Sequence, residues 1–210
     1  MNGFDTPYST MSASVWREKA RFVSDNLAIE NGDAVLDVGC GSGAMLLAIG
    51  ERLDIEMHGI DYSSSLVEAA RRVLPEGRFE CLEAIDLPVV EDRFDAVFSH
   101  SVFVYFPTLD YVREVIRKMV LNLKPGKKGA VFNIPDLALE DEALAMRRSH
   151  MSAEEFERKY ENHPHYYYSK ESVLQILRDL GCRGELLPQP SYGKNEYIQS
   201  KYRFNVLFSK

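Results

Sequence analysis

The sequence VLDVGCGSG, at residues 35–43, is the strongest indication of the fold class. Its apolar, strand-like start ends in Asp37, and three glycines then lead into an apolar, helix-like segment that begins at Ala44. Glycines between a strand and a helix let the backbone approach a ligand closely, and the amides of the helix N-terminus favour polar ligand groups there. The stretch therefore predicts a ligand-binding loop in a βα unit.

Outward from this loop, short apolar runs alternate with amphipathic stretches. The apolar runs predict strands at residues 34–38, 56–61, 78–82, 94–99, 129–134, 184–187 and 202–208. The amphipathic stretches predict helices at residues 15–27, 44–53, 109–123 and 171–180. Ser65 and Glu68 predict a capping box that opens one more helix. Strands that alternate with helices indicate parallel βαβ units, so we expect an α/β fold with a doubly wound sheet.

Length and composition favour a single domain over residues 1–210. No repeat or linker divides the chain, and no apolar run approaches the ~18 residues that a membrane-spanning helix needs. The first residues lack the basic and apolar regions of a secretory signal. The chain has three widely spaced cysteines, an odd number that is typical of reduced thiols. We therefore expect a cytoplasmic protein without a membrane partner.

The charge distribution bears on the partner. The net charge is −7, whereas binding to a phosphate backbone needs a dense patch of Lys and Arg. The basic groups are short, and pairs such as Arg147-Arg148 are interpreted as solvated helix ends. We therefore expect a small-molecule partner and no nucleic acid. A homodimer stays open as an assembly.

Two kinds of cofactor fit the glycine loop. The spacing Gly39-x-Gly41-x-x-Ala44 satisfies the dinucleotide pattern, and Asp61 follows at about the ~20-residue offset of a ribose-binding acid. However, a carboxylate at Asp37 repels a pyrophosphate and suits the ammonium of an amino-acid-like ligand. A chain of 210 residues also leaves little room for the separate substrate domain of most nicotinamide enzymes. S-adenosylmethionine, with a cationic amino-acid end and a ribose, fits better.

Four segments together resemble the class I S-adenosylmethionine-dependent methyltransferases. VLDVGCGSG resembles the first motif of the family, and GIDYS at residues 59–63 resembles the second-strand motif whose acid binds the ribose. EAIDLP at residues 83–88 is similar to the adenine-bracketing motif D-A-x-x-L-P, with Glu83 where the family usually has Asp. FDAVFS at residues 94–99 resembles the fourth-strand motif beside the methyl donor. The resemblance implies these cofactor-binding residues: Asp37, Gly39, Cys40, Gly41, Gly43, Asp61, Tyr62, Glu83, Ala84, Ile85 and Ser99.

The resemblance also implies an architecture. We expect a mostly parallel seven-stranded sheet of the Rossmann-like methyltransferase type, with an antiparallel last strand and the cofactor at the carboxyl ends of the strands. Residues 1–30 would form an N-terminal cap, in which Tyr8 and Trp16 are candidates to cover the cofactor. Residues 135–168 would form a helical insert after the fifth strand, with a substrate lid and an ordered connector as the two interpretations.

Candidate catalytic and substrate-binding residues follow from these positions. His100, just past the fourth strand, is the first candidate for a general base, with a packed pocket histidine as the alternative, and Tyr105 is the second candidate. The candidate substrate contacts are His165, Tyr167, Tyr192 and Asn195. Where metal-dependent relatives carry acids and a His, this chain has residues such as Ser101 and Val104, which are poor ligands for a hard cation. We therefore expect no metal.

The functional hypothesis is methyl transfer from S-adenosylmethionine, with S-adenosylhomocysteine as product, to an oxygen or nitrogen of a small molecule. Holding the nucleophile in line with the methyl carbon is the main task of such an enzyme. Three alternatives stay open: an NAD-dependent Rossmann oxidoreductase, a methyltransferase that acts on a macromolecule, and a non-catalytic subunit that binds S-adenosylmethionine.

Overall fold

The computed structural model describes residues 12–160, 165–190 and 198–210. Its helices are α1 (Ala13–Leu27), α2 (Ala44–Gly50), α3 (Ser64–Val73), α4 (Leu109–Asn122), α5 (Glu140–Ser149), α6 (Ala153–Tyr160) and α7 (Lys170–Asp179). Its strands are β1 (Ala34–Val38), β2 (Glu56–Asp61), β3 (Arg78–Cys81), β4 (Phe94–His100), β5 (Leu123–Pro135), β6 (Arg183–Leu187) and β7 (Arg203–Ser209). None of the helices in these ranges is both long and apolar enough to cross a membrane.

The seven strands form one sheet in the order β3-β2-β1-β4-β5-β7-β6. The pairs among β1 to β5 are parallel, whereas β7 runs antiparallel to both β5 and β6. The order reverses direction between β1 and β4, and open α/β sheets bind ligands at the carboxyl ends of the strands at such a point. The doubly wound, mostly parallel sheet with an antiparallel last strand is therefore confirmed.

Alternating strand residues face two separate hydrophobic cores. Val35 and Phe98 pack against α1, α2 and α3 on one face, and Leu36 and Val97 pack against α4 and α7 on the other. This is the period of two that strands impose, and it fixes the face on which each residue at a strand end lies. Asp37 follows Val35 by two residues, so its side chain lies on the same face of the sheet, the face that α1 covers.

The insert leaves the sheet at the end of β5 and returns beside it. The Tyr168 amide donates to the Pro135 carbonyl at 3.0 Å, and the Leu137 amide donates to the Tyr168 carbonyl at 3.0 Å. The Tyr168 hydroxyl donates to the Phe106 carbonyl at 2.6 Å and lies 3.0 Å from that of Phe103. These bonds fix the base of the insert, which contains α5 and α6, against the segment that follows β4.

Two local predictions need correction. Helix α3 begins at Ser64 after Ser63, so Ser65 and Glu68 do not form the capping box. The Ser63 amide donates instead to the Asp61 carboxylate at 2.9 Å, which turns the chain two residues earlier. Strand β5 begins at Leu123 rather than residue 129, because Leu123 pairs with Phe94 across a register shift.

Candidate functional site

The glycine loop after β1 is held against the end of β2. The amides of Gly39 and Cys40 both donate to the Ile60 carbonyl, at 2.8 and 2.9 Å. Gly39 has φ +84°, and a Cβ there would lie 2.3 Å from Cγ2 of Val102, so only glycine fits. At Gly41, by contrast, a Cβ would meet open space. The loop therefore presents open backbone at the carboxyl edge of the sheet.

Asp61, at the end of β2, lies beside this loop. Its Oδ2 accepts a hydrogen bond from the Gly41 amide at 2.8 Å, and its Oδ1 accepts one from the Ser63 amide at 2.9 Å. The side chain is buried, and each carboxylate oxygen has a second lone pair. Asp61 therefore orders the glycine loop and retains acceptor capacity for a ligand hydroxyl.

Asp37 is the second carboxylate at this edge, and only 2% of the residue is exposed. Within the described ranges its Oδ1 has no hydrogen-bond partner. Burial raises the pKa of the Asp37 carboxyl well above its usual value, and the negative charge of Asp61 raises it further. A buried carboxylate with an unsatisfied oxygen is destabilising, and a ligand with a cationic donor would satisfy it.

A small cavity joins Asp37 and the glycine loop to His100. It is lined by Trp16 of α1, Asp37, the glycine loop, Met45 of α2 and His100. Asp37 and His100 share it because each continues the alternation of its strand toward the α1 face. Ser99, also buried, points to the opposite face of the sheet, and its Oγ has no partner among the described residues.

A hydrogen-bond network orients His100. Its Nδ1 lies 3.0 Å from the Ser101 Oγ, which accepts a hydrogen bond from Nδ2 of Asn133 at 2.5 Å. The Asn133 amide donates to Oδ1 of Asn205 at 2.7 Å. Ser101 and Asn133 both have φ +64°, an uncommon backbone conformation for non-glycine residues. Asn133 also lies where the pairing of β5 with β7 shifts register. When Nδ1 donates to Ser101, Nε2 of His100 is a proton acceptor.

The surroundings of His100 are cationic. Burial lowers the pKa of His100 well below its usual value, and the charges of Lys19 and Arg203 lower it further. Lys19, on α1, is 0% exposed, and burial lowers its pKa to about 7. The imidazole is therefore neutral at physiological pH. A neutral imidazole can accept a proton, although a lower pKa makes it a weaker base.

The other predicted cofactor residues lie around this edge. Glu83 accepts a 3.3 Å hydrogen bond from the Tyr111 hydroxyl, which in turn accepts one from the Ile85 amide at 3.3 Å. Ala84 is buried beside them, and Tyr62, at the end of β2, is 71% exposed. The Tyr111 hydroxyl thereby fixes the short 3₁₀ turn at residues 84–86 against α4.

The structure gives Cys40 and Gly43 local structural roles. The Cys40 thiol is buried, where burial and nearby carboxylates raise its pKa, and its Sγ occupies the space that a Cβ at Gly59 would need, at 2.7 Å. Gly43, with φ +80°, is the N-cap of α2. Contact of either residue with the cofactor stays a prediction.

The sequence matches known methyltransferases. Residues 35–126 match the family described as a methyltransferase domain. Methyltransferase GfsG of Streptomyces halstedii is 31% identical over 116 residues, which are 52% of this chain and 41% of GfsG. A tRNA (carboxymethyluridine(34)-5-O)-methyltransferase of Saccharomyces cerevisiae is 32% identical over 101 residues, 48% of this chain and 35% of that protein. O-methyltransferase resE of Aspergillus sclerotiorum is 27% identical over 192 residues, 86% of this chain and 66% of resE.

Solved structures share the fold. In the complex between the Haloferax volcanii Trm112 methyltransferase activator and a methyltransferase, one chain superposes with a TM-score of 0.65 at 20% identity, covering 94% of this chain and 92% of that one. Magnesium protoporphyrin IX methyltransferase of Synechocystis PCC 6803, solved with bound S-adenosylmethionine, superposes at 0.62 with 13% identity, covering 93% and 78%. This chain has the fold of S-adenosylmethionine-dependent methyltransferases, and its residues 35–126 match a methyltransferase domain. It spans less than half of GfsG and of the yeast relative.

The residues of this methyltransferase fit S-adenosylmethionine. The unsatisfied Oδ1 of Asp37 suits an ammonium donor, and the remaining lone pairs of Asp61 suit ribose hydroxyls. The open backbone at Gly41 allows close approach. Each assignment of a residue to a cofactor atom stays a prediction. In the ranges that the structure covers, no three His, Cys, Asp or Glu side chains gather as a metal site.

The insert of the methyltransferase brings two predicted substrate residues near the end of β4. His165 packs edge-on against Tyr105, with ring centroids 5.7 Å apart, and against Tyr160 at 5.0 Å. Tyr105 is 56% exposed, and the Tyr167 hydroxyl accepts a 2.8 Å hydrogen bond from Arg147. Tyr105, His165 and Tyr167 thus border the same aromatic region, whereas the predicted contacts Tyr192 and Asn195, like Tyr8, lie outside the described residues.

Sequence reasoning missed the buried cations. The sequence pattern assigns Arg147 to a solvated helix end, but only 3% of the residue is exposed, so that interpretation is wrong. Lys19 and Arg203 are also buried, and nothing in their sequence context distinguishes them from surface residues. Their charge instead predicts exposure to solvent, because Lys and Arg are almost never fully buried unless paired.

Proposed function

We propose that this methyltransferase moves a methyl group from S-adenosylmethionine to an oxygen or nitrogen of a small-molecule acceptor, without a metal ion. The observation that carries the proposal is the position of His100, which Ser101 and Asn133 orient in the cavity that Asp37 and the glycine loop also line. A bound sulfonium supplies an activated methyl group with a good leaving group. The protein's own residues then have to position the acceptor and accept its proton.

His100 is the proposed general base. Its position at the carboxyl end of β4 places it next to the glycine loop, where an acceptor would meet the donor. In the tautomer that donates to Ser101, Nε2 can accept a proton from a hydroxyl or an ammonium. Such a base contributes about 10²–10⁴-fold to the rate. Tyr105, largely exposed and packed on His165, is the second candidate.

Two further observations support a small acceptor. Residues 135–168 return to the end of β5 and border the site with Tyr160, His165 and Tyr167, a ring-lined surface of the kind that binds small organic molecules. The net charge of −7 opposes binding to a phosphate backbone. The likeness to O-methyltransferase resE over 86% of the chain agrees with an oxygen acceptor.

A tRNA nucleoside is the second candidate acceptor. It is favoured by the 32% identity to the yeast tRNA methyltransferase, which is confined to about half of this chain. A structural neighbour is found in complex with the activator Trm112, so an activator protein is a candidate partner on the same reasoning. The short basic groups of the chain argue against unaided tRNA binding.

The test begins with calorimetric titration of the protein with S-adenosylhomocysteine and, separately, NAD. We expect micromolar binding of S-adenosylhomocysteine alone. Acceptor pools of phenols, small amines, sugars and total tRNA are then incubated with S-adenosylmethionine labelled in the methyl group. Label in a small acceptor supports the proposal, and label in tRNA alone refutes it. His100→Gln should abolish most of the labelling, and His150→Gln, an exposed histidine at the end of α5, serves as the matched control.

A further inference from the structure

Arg147 is a buried guanidinium in the insert. It lies in the last turn of α5, 3% exposed, and its Nη1 donates to the Tyr167 hydroxyl at 2.8 Å. Its guanidinium carbon lies 5.1 Å from the ring centroid of Tyr160 and 5.9 Å from that of Tyr167. Two aromatic faces and one hydroxyl therefore form its surroundings.

These surroundings do not neutralise the charge. Within the described parts of the chain, Nε of Arg147 is buried without a hydrogen-bond partner, and no carboxylate lies within ion-pair distance of the guanidinium. Asp136, the buried acid at the base of the insert, is engaged by Lys170 at 2.7 Å. A guanidinium has five donors in a fixed fork that matches a carboxylate or phosphate. A buried fork with an unused donor is the arrangement expected of an anion-binding group.

Ring contacts connect Arg147 with the end of β4. Arg147 lies over the Tyr160 ring, Tyr160 packs against His165 with centroids 5.0 Å apart, and His165 packs against Tyr105, which follows β4, at 5.7 Å. The charges of Arg147 and Arg203 both act on the hydroxyl of Tyr160, opposing the rise in its pKa that burial causes. Arg203 also acts on His100, as Lys19 does. Arg203 pairs with Pro135 at the end of β5, the point from which the insert leaves the sheet. The charge of Glu155 acts on Tyr160 in the opposite direction and raises its pKa.

We propose that the acceptor carries an anionic group, a carboxylate or a phosphate, which the Arg147 fork binds while its nucleophilic oxygen or nitrogen lies at His100. The inference rests on the proposed small-molecule function and specifies its substrate class. Arg203 and Lys19 add positive potential along the same path. Arg147 acts as a specificity-determining residue, since a neutral analogue of the acceptor would leave the fork unsatisfied and a cationic analogue would be repelled.

The test uses three probes of nearly equal size that differ in charge: benzoate, benzamide and benzamidinium. Each is titrated into the full chain saturated with S-adenosylhomocysteine, with binding followed by ligand-detected NMR, and phenyl phosphate serves as a fourth probe. We expect an anion to bind at least about tenfold more tightly than benzamide, the size of effect typical of one charge-assisted fork. If benzoate binds more tightly than phenyl phosphate, the acceptor carries a carboxylate; if phenyl phosphate binds more tightly, it carries a phosphate.

Variants of neighbouring arginines decide whether Arg147 is responsible. Arg147→Met should remove the preference for the anion over benzamide, and Arg147→Lys, which keeps the charge without the fork, should retain part of it. Arg148→Met, an exposed arginine of the same helix, should leave the preference unchanged. Affinity for S-adenosylhomocysteine is measured for every variant, so that a misfolded variant is recognised.

Two results would overturn the inference: anions that bind no better than benzamide, or a preference that survives in Arg147→Met. Equal losses in Arg147→Met and Arg148→Met would do the same. Failure of the proposed function is a separate observation, because it is seen as transfer of label to tRNA alone, whatever the anion preference of the site.

Discussion

Replacing Asp37 with asparagine should stabilise the ligand-free protein and weaken its cofactor binding. Asp37 is buried beside Asp61, and one of its carboxylate oxygens lacks a partner among the described residues. An unsatisfied buried polar group costs about 1–3 kcal/mol, and more when it is charged. Asparagine keeps the shape but removes the charge. We expect a gain of about 1–2 kcal/mol near pH 8, which in a chain of this size raises Tm by roughly 2–8 °C.

The gain should depend on pH. The pKa of Asp37 in the folded protein is raised above its ordinary value of 3.8. Below that ordinary value the carboxyl is protonated in both states and has no pH-dependent effect on stability. As pH rises toward the folded-state pKa, the unfolded chain loses its proton first, so wild-type stability falls. The advantage of Asp37→Asn should therefore be smallest near pH 4 and grow with pH.

Urea unfolding of both proteins from pH 4 to pH 8 measures this difference. Asp95→Asn, in the same sheet, is the matched control, for which we expect a loss of stability instead of a gain. Burial raises the pKa of Asp95, but hydrogen bonds from Lys124 and the Ala34 amide outweigh it and lower the pKa overall, so asparagine there should destabilise the protein at neutral pH. Titration with S-adenosylhomocysteine should show at least about a tenfold loss of affinity for Asp37→Asn. An Asp37→Asn variant less stable than wild type at pH 8, or an advantage independent of pH, would refute the reasoning.

Three further substitutions test the cofactor loop and the base. Asp61→Ala should weaken S-adenosylhomocysteine binding at least about tenfold by calorimetry, because it removes a charged acceptor and two loop hydrogen bonds; unchanged affinity would contradict the ribose assignment. His100→Ala should lower kcat by about 10²–10⁴-fold with little effect on cofactor affinity. If kcat and cofactor affinity fall equally, His100 only lines the cavity and is not the base. Gly39→Ala should destabilise the protein by about 1–3 kcal/mol more than Gly32→Ala, because both have positive φ but only Gly39 faces Val102; equal losses in chemical denaturation would argue against the clash.

The sequence predicts which candidate residues meet at one edge of the sheet, because parallel strands align their carboxyl ends. Strands β1, β2 and β4 are parallel neighbours, so the residues at their carboxyl ends lie at one edge of the sheet. These residues are Asp37, Asp61 and His100, although Asp37 and His100 are 63 positions apart in the sequence (100 − 37). Strand alternation adds that Asp37 and His100 share a face. These inferences need only a periodicity and a topology, and both can be read along the chain.

The acceptor side could not be predicted in this way. Asn133 reaches Ser101 only because β5 changes register and Asn133 adopts a positive φ, and neither feature has a sequence signature. Arg147 is covered by tyrosines of α6 and of the segment before α7, which are distant in sequence. Burial of a charged side chain depends on such tertiary neighbours, whereas a helical pattern alone assigns it to solvent.

The cations around His100 suggest that its basicity depends on the acceptor. Burial lowers the pKa of His100, and the charges of Lys19 and Arg203 lower it further. Nδ1 of His100 lies within hydrogen-bond distance of the Ser101 Oγ. An anion bound near these cations would offset their field, and the pKa of His100 should rise. The C2 proton of His100, assigned with His100→Gln, reports this in an NMR pH titration of the protein saturated with S-adenosylhomocysteine. Phenyl phosphate or benzoate should raise the pKa and benzamide should not. If an anion binds and the pKa stays constant, His100 and the anion site are not coupled, and the base would then act with the same strength whether or not the acceptor is bound.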